Sequence, residues 1–422
     1  MKILLVGSGG REHALAWKIA QSPLVKKIYC APGNPGIAEV TECVDIQVEN
    51  IEDLYFFARK EKIDLTVVGP EDPLTMGIVD KFREGNLHIF GPNKRAAIIE
   101  GSKVFAKTLM RKHGIPTGDF KVFEELKQAK IFLETSEFPL VIKADGLAKG
   151  KGVFVCKTLE EGHKHLDEIM EERIFGKAGD KVLIEEFLVG EEVSILALTD
   201  GKTIVPLSSA QDHKAVYDGD KGPNTGGMGA YSPAALMTDT LQFYIEENIL
   251  VPIVHAMKKE NRPYKGVLYA GLIITSNGPK VLEFNARFGD PETQALLMRM
   301  KGDIVPLLLS TTKNTLEQVK VEWDNGVSIC VVLASQGYPD KYEKGFPVSG
   351  LESIKGLDDI QVFHAGTSVK NGKVITNGGR VLGVTARGQT IQKVQKVVYE
   401  AIEKLSFEGM HYRKDIGMKA VK

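Results

Sequence analysis

The N-terminal part of the chain alternates short apolar runs with segments of helical character, and this alternation constrains the fold more than any other feature. Strands that alternate with helices at this spacing predict a parallel, doubly wound sheet. Turn-rich loops follow several of the runs, so a ligand crevice is expected where the carboxyl ends of the strands meet. The apolar runs and the helices expected among them are Lys2–Val6, Ile28–Ala31, Val44–Val48, helix Ile51–Lys60, Leu65–Val68, helix Leu74–Glu84 and Leu87–Phe90.

Length and composition exclude several classes of protein. At 422 residues the chain is too long for one ordinary core, so several domains are expected. Lysine plus arginine (54) nearly balance aspartate plus glutamate (55), which leaves no bulk charge that favours nucleic acid or an anionic membrane. The four cysteines form no Cys-x-x-Cys motif, and they are expected to be reduced core residues of a cytoplasmic protein. No apolar run approaches the roughly 20 residues of a membrane span.

A glycine-rich loop follows the first strand and precedes a helix. Backbone N–H groups at a helix start make such a loop an anion site. The dinucleotide fingerprint requires glycine or alanine where this chain has Glu12, and no acidic residue closes the second strand. NAD is therefore disfavoured, and a small phosphorylated ligand fits Gly9, Gly10 and Arg11 better, with a tight turn that binds nothing as the alternative.

The stretch Val281–Glu292 carries the strongest chemical pattern. Because successive side chains of a strand point to opposite faces, Glu283, Asn285 and Arg287 are predicted to share one face. Carboxylate and amide oxygens suit Mg²⁺, and arginine holds phosphate or carboxylate through two parallel hydrogen bonds. The alternative is an edge strand with a solvated polar face. A helix is expected over Pro291–Met300, with Asp290 as its N-cap.

Three further segments have compositions that suit a nucleotide and a small acid. The glycine–lysine loop after Lys143 is not a P-loop, but it suits a mobile flap over a triphosphate, with a solvated hairpin as the alternative. The paired acids after the strand that starts at Val182 are either a solvated connector or an adenine hinge. A long glycine-rich loop over 211–229 contains Asp212 and Lys214, which suit the amine and the carboxylate of an amino acid.

Beyond residue 326 the pattern becomes rich in strands and predicts a separate small α+β domain. Its Arg380 and Arg387 are either surface charges or residues that reach the central site. No serine-nucleophile elbow, zinc-protease helix or Cys–His pair is evident, so the lysines, glycine loops and metal strand favour phosphoryl transfer from a metal-bound nucleotide.

Four segments together resemble the glycinamide ribonucleotide synthetases, an ATP-grasp family of purine biosynthesis. They begin at Gly7, Lys143, Gly222 and Phe284, and the similarity extends to Tyr412–Gly417 at the tail. The resemblance implies a preATP-grasp domain with a Rossmann-like parallel sheet over 1–102. It implies an ATP-grasp domain over 103–325, with a mobile lid over about 118–190, and a small α+β C-terminal domain over 326–422.

The resemblance also implies an ATP-dependent ligase that joins glycine to 5-phosphoribosylamine through glycyl phosphate, with Mg²⁺ or Mn²⁺ as the cofactor. It assigns Glu283 and Asn285 as metal ligands, and Arg287 and Lys143 as catalytic residues. It assigns ATP to Lys103, Lys143, Gly146, Lys149, Gly150, Lys151, Gly152, Glu185, Glu186, Phe187, Leu188 and Glu192. It assigns the other substrates to Gly9, Gly10, Arg11, Gly33, Asn34, Asp212, Lys214, Gly226, Gly227, Arg287, Asp290 and Pro291.

One position departs from the pattern of the family. Arginine is expected after Asp212-His213-Lys214, and this chain has Ala215, with Lys221 as a candidate for the compensating charge. We expect a cytoplasmic monomer with small-molecule substrates and without nucleic-acid or membrane partners, and a transient partner that hands over phosphoribosylamine is left open. The alternatives are another ATP-grasp purine ligase with a different acid and amine, or a non-catalytic nucleotide-binding module.

Overall fold

The computed structural model describes residues 1–147 and 151–421, and its first domain is a parallel sheet with flanking helices. The predicted doubly wound fold is therefore confirmed. The strands, in spatial order, are Glu42–Cys43, Lys27–Pro32, Lys2–Gly7, Leu65–Val68 and Ile89–Phe90. The helices are Gly10–Ile19, Ile51–Glu61, Glu71–Met76, Ile78–Glu84 and Lys94–Gly101.

The edge strand of this sheet differs from the prediction. The sequence predicts a strand over Val44–Val48, but the structure has only Glu42–Cys43 here, so that prediction is wrong. The N–H of Val44 still donates to the carbonyl of Cys30 at 2.8 Å, after which the chain leaves the sheet. An edge strand has a partner on one side only, so an apolar run at an edge is not enough to maintain pairing.

The lid is a four-stranded antiparallel sheet with an apolar core of its own. Helix Lys103–Lys112 leads into it, and helices Leu126–Glu134 and Leu159–Leu166 pack against it. The last of these continues as a π-helical turn, Asp167–Glu171. The strands, in spatial order, are Phe120–Phe123, Val182–Glu186, Leu140–Ala144 and Val153–Cys156.

The central sheet has four antiparallel strands, and its edge strand Gly278–Asn285 borders the lid. Thr117 forms a bridge with Val281, so the cleft between lid and central sheet runs along this strand. A register shift opposite Gly271 inserts one extra residue into the strand just before Glu283. The strands, in spatial order, are Ile204–Pro206, Glu191–Thr199, Gly266–Thr275 and Gly278–Asn285. The neighbouring helices are Asp239–Ile245 and Val251–Lys259, joined by the π-helical turn Glu246–Leu250.

The sheet of the third domain, called the third sheet below, draws its strands from two distant parts of the chain. Two of them come from the segment 211–232, whereas the sequence predicts an irregular loop over 211–229, and that prediction is wrong. The same segment contains the hairpin Ala215–Tyr217 and Lys221–Asn224. The strand Gly229–Ser232 pairs with Val327–Ser335, which is far away in the sequence, so no local pattern marks these strands. The order is Gln211–Asp212, Gly229–Ser232, Val327–Ser335, Arg380–Gly388 and Ile360–His364, with Met410–His411 also paired to Val327–Ser335.

Helix Glu292–Arg299 is buried, and it contacts the first helix and the third sheet. Within the described ranges, no helix has the length and apolar character needed to span a membrane. All four cysteines are free thiols, as predicted. The remaining elements are helices Ile304–Lys313 and Ile391–Ile402 and strands Met300–Lys301, Glu322–Trp323, Thr367–Lys370 and Lys373–Thr376.

Candidate active site

Glu283 lies among basic side chains in the cleft between the lid and the central sheet. Its carboxylate lies 3.7 Å from Nζ of Lys214, and the amide nitrogen of Asn285 lies 3.5 Å from the same oxygen. Burial opposes ionisation of Glu283, but the charges of Lys214, Lys143 and Lys103 hold its pKa at about 2. The cleft therefore contains an ionised carboxylate beside an amide, surrounded by three ammonium groups.

Lys143 enters the same cleft from the lid. Its Nζ lies 2.8 Å from Oε2 of Glu185 and donates to the carbonyl of Leu282 at 3.4 Å. Nζ of Lys107 lies 3.0 Å from the same oxygen of Glu185. Burial opposes the ionised form of Glu185, yet the charges of Lys143 and Lys107 lower the pKa of its carboxyl. Lys107 was not predicted as a site residue, although it lies four residues after Lys103 and thus on the same helix face.

The glycine–lysine flap is tied to the helix that begins at Lys103. Nζ of Lys103 donates to the carbonyl of Gly146 at 2.8 Å. Gly146 has a φ of +125°, which residues with a side chain rarely adopt, so glycine is required at this turn. Of the other flap residues predicted to bind ATP, Lys151 and Gly152 belong to the described ranges, whereas Lys149 and Gly150 lie outside the described residues.

The predicted adenine hinge follows the lid strand that ends at Glu186. The carboxylate of Glu186 lies 2.7 Å from Nζ of Lys280 and accepts the N–H of Asp119 at 3.0 Å. Phe187 is exposed and Leu188 packs beside Gly118, so the chain here runs along the opening of the cleft. The ion pair with Lys280 connects the hinge to the central sheet.

Lys214 lies between two acidic residues of the predicted site. Its Nζ lies 3.5 Å from Glu192, the predicted ribose ligand, and 3.7 Å from Glu283, the predicted metal ligand. Burial disfavours the charged ammonium, but the two carboxylates raise the pKa of Lys214 well above its usual range. The lysine therefore remains charged and links the two predicted ligands.

Arg287 lies past the end of its strand, where two carboxylates from other elements bind it. Its Nη2 lies 3.1 Å from Oε1 of Glu100, and its Nε lies 3.2 Å from Oε2 of Glu71. The other oxygen of Glu100 accepts the N–H of Ala286 at 2.6 Å. Burial raises the pKa of Glu100 to about 7 although Arg287 opposes the rise. Burial also opposes ionisation of Glu71, but the charge of Arg287 favours the ionised form, and the pKa of Glu71 is lowered to about 2.

The raised pKa of Glu100 predicts a pH-dependent difference in stability that Glu100→Gln should remove. A carboxyl whose folded pKa exceeds its unfolded value binds more protons when folded, so its contribution to stability falls from pH 4.5 to about 7. Over that range we expect the free energy of unfolding of Glu100→Gln to rise relative to wild type. Urea denaturation at several pH values measures this, with exposed Glu322→Gln as the control. Parallel profiles for Glu100→Gln and wild type would contradict the prediction.

Asp212, Gly227 and Pro291 lie against one another beside the third sheet. A Cβ on Gly227 would lie 2.4 Å from Cδ of Pro291 and 2.8 Å from Oδ1 of Asp212, so only glycine fits there. Burial, together with the charge of Glu292, raises the pKa of Asp212 well above its usual range. A ligand ammonium group placed beside Asp212 would favour its ionised form.

Arg380 reaches this region from the third sheet. Its Nη1 donates to the carbonyls of Gly226 and Asp290, both at 2.8 Å, and lies 3.3 Å from Oδ1 of Asp290. The sequence predicts Asp290 as a helix N-cap, but the N-cap residue of helix Glu292–Arg299 is Pro291, so that prediction is wrong. The carboxylate of Asp290 is instead paired with Arg380, which is far away in the sequence.

Ala215 stands where the resemblance leads us to expect arginine. Its side chain is buried, and its carbonyl accepts a hydrogen bond from Nη1 of Arg413 at 3.0 Å. Arg413 is fully buried and pairs with Asp220 at 2.9 Å and Asp415 at 2.7 Å. Lys221, the predicted compensating residue, is exposed. A buried cation therefore does contact this position, but it comes from the tail of the chain.

The glycine loop of the first domain is partly closed by carboxylates of the protein. The N–H of Gly9 donates to Glu12 at 2.7 Å, and the N–H of Arg11 donates to Asp290 at 3.4 Å. The guanidinium of Arg11 is buried and donates to the carbonyl of Phe288 at 3.1 Å. Glu12 thus lies inside the loop, which fits the exclusion of a dinucleotide and leaves fewer free N–H groups for a phosphate than the sequence predicts.

The second predicted loop of the first domain is held to the third domain. Nδ2 of Asn34 donates to the carbonyls of Ser8 at 2.8 Å and His364 at 2.9 Å. Both N–H groups of this side chain are therefore in use. Gly33 has a φ of +75°, which produces the turn that brings Asn34 to this position.

Three family models match consecutive parts of the chain. The phosphoribosylglycinamide synthetase N domain matches residues 1–100, the ATP-grasp (A) domain 101–293, and the C domain 328–419. The chain belongs to the phosphoribosylglycinamide synthetase family. The resemblance inferred from the sequence motifs is thereby confirmed, and so is the three-part architecture that it implies.

Relatives of this synthetase-family chain match it over its full length. A phosphoribosylamine–glycine ligase from Caldanaerobacter subterraneus subsp. tengcongensis is 53% identical over 416 residues, which cover 99% of each chain. The solved structure of phosphoribosylamine–glycine ligase from Thermotoga maritima has a TM-score of 0.86 and 33% identity, and covers 99% of this chain and 100% of that one. The biotin carboxylase domain of Hydrogenobacter thermophilus 2-oxoglutarate carboxylase, solved with MgADP and bicarbonate, has a TM-score of 0.75 at 16% identity, covering 99% and 92% of the two chains. This last likeness shows the ATP-grasp fold alone.

Several residues that shape the cleft of this family member were not found from sequence. Glu71, Glu100 and Lys107 belong to no motif, and for Lys107 the helical spacing from Lys103 is the signal that could have found it. Arg380 was left open as a surface or site residue, and the structure places it at the site, whereas Arg387 is half exposed and paired with a surface aspartate.

Proposed function

We propose that this chain joins glycine to 5-phosphoribosylamine in an ATP-dependent reaction of purine biosynthesis, giving glycinamide ribonucleotide, ADP and phosphate. The observation that carries the proposal is the ionised carboxylate of Glu283, beside Asn285 and facing Lys103, Lys143 and Lys214 in one cleft. Such a set of charges suits phosphoryl transfer, in which positioning and charge neutralisation supply most of the catalysis. The names of the full-length relatives support the choice of acid and amine.

ATP is proposed to lie between the lid and the central sheet. Its phosphates would contact Lys103 and Lys143 under the flap 146–152, because ammonium groups act as point charges for phosphate oxygens. Its adenine would lie along the backbone of residues 185–188, and its ribose near Glu192. The low pKa of Glu283 supports this placement, because it is caused by the positive charges of Lys214, Lys143 and Lys103 in this part of the cleft.

Glu283 and Asn285 are proposed to hold Mg²⁺, with Mn²⁺ as the alternative. The pKa of about 2 keeps the carboxylate of Glu283 ionised at neutral pH. In the part of the chain that the structure describes, no three acidic, histidine or cysteine side chains form a metal cluster. This fits Mg²⁺, which commonly takes one or two protein carboxylates and completes its shell with water and phosphate. When bound, the ion would neutralise charge on the phosphate oxygens.

The chemistry needs no covalent intermediate with the protein. A carboxylate oxygen of glycine attacks the γ-phosphorus of ATP, the bond to the bridging oxygen breaks, and ADP leaves. The amine of phosphoribosylamine attacks the carbonyl carbon of glycyl phosphate, loses a proton, and displaces phosphate, which retains one oxygen of glycine. We assign to Arg287 the stabilisation of charge on the transferred group, and to Lys143 its guidance toward the carboxylate.

Glycine is proposed to bind between Asp212 and Lys214, next to Gly226 and Gly227. Its ammonium group would favour the ionised form of Asp212, whose carboxyl has a raised pKa because of burial and Glu292. Its carboxylate would face Lys214. The exclusion of any side chain at Gly227 limits the space and suits the smallest amino acid.

Phosphoribosylamine is proposed to lie at the carboxyl edge of the first sheet. Because Glu12 and Asp290 take the N–H groups of Gly9 and Arg11, the backbone N–H of Gly10 is the better candidate for its phosphate. The N–H of Gly33 already donates to the carbonyl of Gly7 at 3.1 Å, so Gly33 would act by shaping the loop. Asp290 and Pro291 would border its amine. Side chains whose hydrogen bonds are all in use, such as Asn34, would act here by holding the loops in place.

We keep 1–102, 103–325 and 326–422 as the proposed functional domains, with the lid over about 118–190. The strands within 211–232 complete the sheet of the third domain, so the second and third domains share one structural unit there. The balanced charge of the chain supports small-molecule substrates rather than nucleic acid, and the free thiols of its cysteines support a cytoplasmic location.

The proposal is tested by measuring ADP release with ATP, Mg²⁺, glycine and freshly prepared phosphoribosylamine. We expect release only when all substrates are present, and we expect an oxygen label in the carboxylate of glycine to appear in the released phosphate. ADP release that does not depend on glycine, or phosphate without the label, would contradict the proposed function.

Replacing Arg380 by methionine is expected to raise the KM for glycine about tenfold, with a smaller change in kcat. The reason is the loss of charged hydrogen bonds that hold Gly226 and Asp290, each worth about 1.5–3 kcal/mol. Steady-state kinetics with varied glycine measures the change. Arg387→Met, on the same strand but half exposed, is the matched control and should leave KM unchanged. Equal KM values for Arg380→Met and the control would contradict the prediction.

A further inference from the structure

Lys107 is buried in the lid-facing helix, and the mechanism above gives it no role. It is 2% exposed, and its Nζ lies 3.0 Å from Oε2 of Glu185 and 2.8 Å from Oγ1 of Thr117. Removing an ammonium group from water is costly unless it is paired and hydrogen-bonded. The charge of Lys107 therefore calls for an explanation in terms of its partners.

Glu185 shares one oxygen between two ammonium groups. Its Oε2 lies 2.8 Å from Nζ of Lys143 and 3.0 Å from Nζ of Lys107. Its Oε1 is buried and has no hydrogen-bond partner among the described residues. Two cations against one carboxylate leave one positive charge in this buried group. If Lys107 were absent, Glu185 and Lys143 would form a pair with no net charge.

We propose that Lys107 is a positioning residue that neutralises Glu185, so that the charge of Lys143 stays available to a nucleotide phosphate. This inference rests on the proposed function in one respect, the placement of the ATP phosphates at Lys143. Charge interactions in a partly buried site are stronger than in water, so the neutral pair left without Lys107 would attract phosphate less. Adenine recognition by the hinge backbone would be unaffected.

Calorimetric titration of Mg-ATP and of adenosine into four forms of the protein tests the proposal. For Lys107→Met we expect the Kd of Mg-ATP to rise about tenfold, which corresponds to about 1.4 kcal/mol, while the Kd of adenosine stays within about twofold. For the double variant Lys107→Met/Glu185→Gln we expect the Kd of Mg-ATP to return to within about threefold of wild type, because no carboxylate remains to neutralise Lys143. Lys112→Met, exposed on the same helix, is the control and should match wild type.

A purely structural role for Lys107 predicts a different result. Equal losses of Mg-ATP and adenosine binding in Lys107→Met, or no recovery in the double variant, would overturn the proposal. If Lys107→Met does not fold, Lys107→Gln, which can still hydrogen-bond to Glu185, takes its place, and a Kd of Mg-ATP equal to that of wild type in this variant would overturn the proposal. A wild type that binds Mg-ATP but releases ADP without glycine would contradict the proposed function and leave this comparison intact.

Discussion

Glu283→Gln is expected to lower kcat by about 10³-fold, because loss of one preorganised charge at a reacting phosphate costs about 10²–10³ and the metal site is weakened as well. The substitution keeps the size of the side chain and removes only its charge. The fold should be retained, since Lys214 still has Glu192 as an acidic partner. Steady-state kinetics and circular dichroism on the same preparation measure both parts of the prediction.

The metal assignment adds a second readout to this experiment. If Glu283 ligates the cation, the Mg²⁺ concentration for half-maximal activity should rise more than about tenfold in Glu283→Gln. A role limited to balancing the lysines would lower kcat without moving that concentration. Glu322→Gln, an exposed site outside the cleft, should behave as wild type. Normal turnover in Glu283→Gln would refute the assignment of Glu283 to the reaction.

Arg287→Ala is expected to lower both turnover and stability. Turnover should fall about 10²–10³-fold, because the charge assigned to the transferred phosphoryl group is lost. The free energy of unfolding should fall by about 3–5 kcal/mol, because removing Arg287 breaks its buried ion pairs with Glu71 and Glu100. Urea denaturation and steady-state kinetics measure the two effects separately.

A second substitution separates the two roles of Arg287. Arg287→Ala/Glu100→Gln removes one of the unpaired carboxylates, so it should regain part of the lost stability and none of the lost turnover. Arg287→Lys keeps the charge but reaches only one carboxylate at a time, so we expect near-normal stability with reduced turnover. Recovery of turnover in the double variant would show that Arg287 acts only on the fold.

Local sequence pattern correctly predicted strands that have a hydrogen-bonded partner strand on both sides. The strand Leu65–Val68 has the limits that its apolar run predicts, because it lies inside the first sheet and pairs on both sides. The strand predicted over Val44–Val48 does not form, because at the edge of a sheet one partner strand is not enough to maintain pairing. The strands of 211–232 were missed because their order depends on pairing with Val327–Ser335.

The candidate site divides in the same way. Alternation in the strand predicted that Glu283 and Asn285 lie together, and the structure has them 3.5 Å apart. The same alternation predicted Arg287 on that face as well, but the strand ends at Asn285, and Arg287 pairs with two carboxylates of the first domain. Asp290 is likewise not the predicted helix N-cap, and its carboxylate instead pairs with Arg380 of the third sheet.

The sequence by itself determined which chemical groups are present and which of them share a strand or helix face. The glycine loops, the alternating Glu283 and Asn285, and the helical spacing of Lys103 and Lys107 are all properties of neighbouring residues. Only the tertiary structure decided which charge neutralises which. An ion pair requires atoms within about 4 Å, and domain packing, not chain spacing, sets that distance for groups far apart in sequence. For that reason the partners of Arg287 and Arg380 follow only from the packing of the domains.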